Sequence, residues 1–62
     1  MMINISANTF DNTIRSLRHV VIKSFLVGQA RMTGYYQNQR VVGLIREYKG
    51  VRTYYKNEQQ GV

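Results

Sequence analysis

Along this chain the spacing of hydrophobic positions changes near residue 20. Ile3 and Ile5 alternate with Asn4 and Ser6, the period of a short strand or extended arm within residues 1–7. Phe10, Ile14, Leu17 and Val21 then recur at intervals of four, three and four, while Asp11, Asn12, Arg15, Ser16, Arg18 and His19 fall largely elsewhere. One apolar stripe with a polar back predicts a helix over about 9 to 19. Asn8 is placed to cap it, and Asp11 falls in its first turn, where a carboxylate meets the positive end of the helix dipole.

Beyond His19 the run VVIKSFLV (20–27) admits two readings, a prolonged helix or a strand. Four of its eight residues are Val or Ile and Gly28-Gln29 supplies a turn after it, which favours the strand. ARMTGYY (30–36) is β-prone and ends at Gln37-Asn38-Gln39. RVVGLIREY and VRTYYKN flank Lys49-Gly50, a two-residue connection whose glycine accepts the positive φ of a type I′ turn. That loop sets a register: Tyr48 faces Val51, Glu47 faces Arg52, Arg46 faces Thr53, Ile45 faces Tyr54 and Leu44 faces Tyr55. One face of this hairpin carries Val42, Leu44, Tyr48, Val51 and Tyr55 with Arg46 and Thr53, and its apolar character predicts that it packs on the helix stripe. The other, with Ile45, Tyr54, Arg52, Lys56 and Glu47, is then expected to face outward.

The pattern predicts an α+β fold, a short N-terminal helix packed on a small antiparallel β-meander or barrel, with a winged helix as the alternative if residues 20–36 are helical. At 62 residues it is a single small domain, with residues 58–62 expected as a flexible tail. Such a chain buries only ~60% of its unfolded surface. It has no cysteine to staple the core, so a homo-oligomer is expected.

Nine Lys and Arg against three Asp and Glu give a formal charge of +6. No apolar run approaches the ~20 residues of a membrane span, and MMINISANTF lacks the basic start and apolar stretch of a secretory signal. A cytoplasmic protein with no membrane partner is expected. One histidine and three scattered carboxylates supply neither a metal cluster nor a carboxylate pair, and no phosphate-loop glycine motif occurs. The reading is therefore no enzyme and no cofactor. His19 among basic residues admits a small ribonuclease, but a histidine near a helix end has a structural explanation in the dipole.

Tyrosines at 35, 36, 48, 54 and 55 lie among the basic residues. Cations neutralise phosphates while aromatic rings stack on unpaired bases, so this mix points to nucleic acid as partner, RNA or single strands ahead of duplex DNA, in a regulatory role. The candidate binding residues are Arg15, Arg18, Lys23, Arg31, Tyr35, Tyr36, Arg40, Lys49, Arg52, Tyr54 and Lys56. Tyr54, flanked by Arg52 and Lys56, is the expected stacking residue, whereas Tyr48 and Tyr55 read as core packing. The alternative of another class is a protein-interaction module or inhibitor for an acidic protein partner, since Tyr and Arg are also enriched at protein hot spots.

Residues 10–45, from Phe10 through Leu17-Arg18, VVIKSFLV, MTG (32–34) and VVGLI (41–45), together with Tyr55-Lys56, resemble the Sm-like, Hfq-type RNA-binding proteins. That resemblance implies a ring-forming RNA binder with Lys56 and Asn57 near a uridine-binding pore. The chain departs from that family at Gln29, Arg40 and Asn57, which stand where it favours glycine, aspartate and histidine. GLIREYKGVRTYY (43–55) is similar to the wing hairpin of winged-helix repressors such as the ArsR family, which implies a DNA-binding regulator with a recognition helix before the wing. The two resemblances separate on whether residues 20–36 are strand or helix.

Overall fold

The computed structural model describes residues 1–58, so the expected tail lies, from residue 59, outside the described residues. Strand β1 (Met2–Ile5) leads into helix α1 (Ala7–Arg15), and four strands follow as a meander: β2 (Val21–Val27), β3 (Ala30–Gln37), β4 (Arg40–Tyr48) and β5 (Val51–Asn57). They form one five-stranded sheet in the order β1-β5-β4-β3-β2, antiparallel at every junction. Residues 20–36 therefore hold two strands and a turn, and no helix lies between α1 and the last hairpin. β1 and β2 are the two edges of an open sheet, so the barrel half of the expectation is replaced by a meander.

The turns explain why the meander forms. Gly28-Gln29, Asn38-Gln39 and Lys49-Gly50 each connect neighbouring strands through two residues. Asn38 and Gln39 (φ 53° and 67°) and Lys49 and Gly50 (φ 52° and 78°) carry the paired positive φ of type I′ turns, whose twist matches that of the strands. The β4–β5 register is the one expected from the sequence, with Tyr48 opposite Val51, Ile45 opposite Tyr54 and Leu44 opposite Tyr55. Between Tyr35 and Tyr36 the pairing to β4 skips from Gly43 to Val41, a bulge that leaves Val42 without an opposite residue.

The helix begins earlier and ends earlier than its stripe suggested. Ser6, not Asn8, is the N-cap, its Oγ accepting the Thr9 backbone N–H at 3.1 Å and donating to Thr9 Oγ1 at 2.9 Å. Asp11 accordingly lies beyond the first turn and pairs with Arg15 one turn on, at 3.0 Å. The helix stops at Arg15, and His19 at φ 58° turns the chain towards β2. Val21 therefore leaves the helical stripe and is exposed on β2.

The larger correction concerns which face the helix covers. Phe10, 5% exposed, meets Tyr35 edge-on at 5.2 Å between ring centroids and Tyr54 at 5.4 Å, so α1 lies on the Tyr54, Ile45 and Arg52 side. Gly43 is the seat: a methyl group there would stand 2.9 Å from Phe10 Cε2 and 3.1 Å from Ile14 Cδ1. Ile3 and Ile5, opposite Lys56 and Tyr54, flank the helix on that side. The face carrying Leu44, Tyr48, Val51 and Tyr55, expected to lie under the helix, is the open one. Gly43→Ala is expected to lift α1 and lower stability by ~1–3 kcal/mol, the usual cost of overpacking, measured as a fall in Tm. An unchanged Tm would show that the helix sits elsewhere.

Candidate nucleic-acid interface

Directly paired residues share a face, so the open side can be read row by row across the sheet. One row runs Asn4, Tyr55, Leu44, Gly34, Lys23, and the next runs Thr53, Arg46, Met32, Phe25. Tyr48 with Val51, and Tyr36 with Val21 and Val41, lie at opposite ends of the same side. Four aromatic side chains thus project from a face that no helix covers, and Phe25 is 43% exposed.

Gly34 does on this face what Gly43 does on the other. A methyl group at Gly34 would meet Tyr36 Cε1 at 2.7 Å and its hydroxyl oxygen at 2.9 Å, so the missing side chain lets the Tyr36 ring lie back over the sheet. Lys23 Nζ stands 5.7 Å from the centre of that ring. At the other end Tyr48 is flanked by Arg46 Cζ at 5.1 Å and Lys49 Nζ at 5.3 Å. Every close cation–ring pair of the described residues is on this side.

Among the described residues no carboxylate opposes these cations. Asp11 is on α1 with Arg15; Glu47 projects on the helix side, 3.9 Å from Arg52; Glu58 pairs with Lys56 at 3.3 Å. Lys23, Arg46 and Lys49 have no carboxylate partner among the described residues. On the helix side Arg52 is held above its ordinary pKa, first by hydrogen bonding to Tyr54 and then by the charge of Glu47. A cleft of about 260 Å³ opens at the Tyr36 end, lined by Val21, Lys23, Tyr36, Asn38 and Gln39. It combines a ring, an ammonium and two side-chain amides, the groups that stack a base and hydrogen-bond its edge.

The sequence-derived candidates divide accordingly. Lys23 and Tyr36 come together at one end of the open face, and Lys49 stands beside Tyr48 at the other. Arg31, Arg52, Lys56, Tyr35 and Tyr54 belong to the helix side, where Tyr35 and Tyr54 hold Phe10. Arg15 is paired on the helix, and Arg18 follows it, its carbonyl accepting from Gln37 at 3.0 Å. Arg40 lines a separate cleft of about 460 Å³ at the sheet end, with Gln37, Asn38, Val41, Val42 and Asn57. Arg46, Phe25, Tyr48 and Tyr55 share this face without having been candidates: the hairpin register already set Arg46, Tyr48 and Tyr55 on one side, which was read as core, whereas no register read from the sequence placed Phe25 beside them.

No group of three metal-binding side chains occurs among the described residues, and none of their helices is long and apolar enough to cross a membrane. Compared with protein-family models, curated proteins and solved structures, the chain matches none.

Proposed function

We propose that this protein is a non-catalytic binder of single-stranded nucleic acid, RNA in the first instance, that lays the strand across its helix-free sheet face and so regulates what the strand can do. The observation that supports this reading is the composition of that face. Phe25, Tyr36, Tyr48 and Tyr55 share it with Lys23, Arg46 and Lys49 and, among the described residues, with no carboxylate. Rings stack on unpaired bases of any sequence, and the cations neutralise the phosphates between them. A duplex has its bases already stacked and is read by an inserted element, which an open sheet does not offer.

The test is a titration with a labelled single-stranded oligonucleotide at several salt concentrations. Each phosphate neutralised on a single strand contributes about 0.7 to the slope of log K against log salt. Replacing Lys23, Arg46 and Lys49 together by Gln is expected to reduce that slope by about two units. Replacing Arg15, Arg18 and Arg31 together should leave most of it. Equal loss in the two triple variants would defeat the placement of the site. A partner that survives nuclease treatment in a pull-down and responds weakly to salt would favour the acidic-protein reading instead.

A further inference from the structure

β2 is the one strand exposed along its whole length, and it lies at an edge of the sheet. It is apolar on both sides, with Val21, Phe25 and Val27 on the open face and Ile22 and Leu26 on the helix side, where Leu26 is 71% exposed. Folded chains ordinarily blunt such an edge with proline, a bulge, clustered charge or a covering element. β2 has one charge, Lys23, no proline and an unbroken register to β3. Its other side has no neighbouring strand in the sheet.

We propose that two copies of this chain pair through β2, antiparallel about a two-fold axis at Ser24, into one ten-stranded sheet. The phase of the hydrogen bonds sets this register. A two-residue loop closes on a pair that exchanges both bonds, here Val27 with Ala30, and the exchange recurs at every second residue. Phe25, Lys23 and Val21 thus spend their amides on β3, while Ile22, Ser24 and Leu26 direct theirs outward. Centring the pair on Ser24 sets Ser24 opposite itself and Ile22 opposite the partner's Leu26, so all three outward residues bond.

The same register matches side chains. Val21 meets the partner's Val27, and Lys23 meets the partner's Phe25, an aromatic ring. It also overlaps the entire strand. Sliding it two residues towards the N-terminus sets the two lysines directly opposite each other, a destabilising arrangement. The strand is therefore complementary to itself, and the second copy is the occupant. Because paired residues share a face, both helices fall on one side and both open faces on the other. The dimer stands independently of the nucleic-acid reading, although under that reading it doubles the length of the platform.

Sedimentation equilibrium without nucleic acid, at tens of micromolar, is expected to give twice the 7.3 kDa chain mass. Raising the salt should strengthen the association, because two chains of charge +6 repel, whereas oligonucleotide binding should weaken. Ser24→Pro removes an outward N–H that β3 does not use, and is expected to give a folded monomer by circular dichroism. Leu26→Lys should do the same without touching the backbone. Independently of any variant, the amides of Ile22, Ser24 and Leu26 should exchange with deuterium more slowly as protein concentration rises. A wild-type monomer throughout that range, or unprotected amides at these three positions in a dimer, overturns the proposal. So does a folded Ser24→Pro that still dimerises, which assigns the contact to the open face. Assemblies that grow without limit overturn it too, since they mean that β2 of one copy joins β1 of the next.

Discussion

Phe10→Ala is expected to remove most of the protein's folding stability. Among the described residues Phe10 and Ala30 are the only buried apolar side chains, and Phe10 is the only large one. It joins the helix to three strands at once, resting on Gly43 of β4 with its ring against Tyr35 of β3 and Tyr54 of β5. Truncating a buried phenylalanine to alanine costs ~3–5 kcal/mol. A typical stability of ~0.05–0.15 kcal/mol per residue gives a chain of this length roughly 3–9 kcal/mol in all. Denaturant titration followed by near-ultraviolet circular dichroism reads this directly, with Val51→Ala, exposed at the start of β5, as a control that should cost less than about 1 kcal/mol. A Phe10→Ala protein whose midpoint matches that control would mean that the core lies on the other face of the sheet.

What the sequence disclosed, and what it hid, follows from the periods involved. The β4–β5 register was legible because Lys49-Gly50 fits a two-residue type I′ turn, and once that loop is fixed every pair along the hairpin is determined. The strand reading of residues 20–27 rested on Val and Ile content and on a turn at Gly28, and both hold in β2. The faces were inverted because alternation separates a strand into two sets without saying which is covered. Leu44, Val51 and Tyr55 are more apolar than Tyr54, Arg52 and Lys56, so hydrophobicity alone assigned them to the core.

Shape decided otherwise. A nine-residue helix hung directly after β1 must lie over the strands beside it, and Gly43 offers a place where a phenylalanine ring can approach the backbone. The clue lay in a missing side chain, which no scale of hydrophobicity registers. The helix boundary was misplaced for a similar reason. Ser6 and Thr9 share hydroxyl and amide bonds that Asn8, two residues later, cannot form once the turn has begun.

Under the proposed function, the inversion changes which tyrosines are expected to bind and which to support. In the double variant Tyr36→Ala, Tyr48→Ala two rings leave the open face, each with its associated cation left in place. Losing two stacking platforms of ~1–3 kcal/mol each is expected to weaken single-strand binding by ~2–6 kcal/mol. The salt slope should stay nearly unchanged, because Lys23, Arg46 and Lys49 still meet the phosphates. Tyr54→Ala should show the opposite signature. Its ring supports Phe10 from the helix side, so Tm falls while the folded fraction binds with nearly native affinity. Measuring affinity and Tm on the same three proteins separates the two roles. If Tyr54→Ala stays stable and loses binding while the double variant keeps it, the strand lies under the helix, and the open face is left to a protein partner.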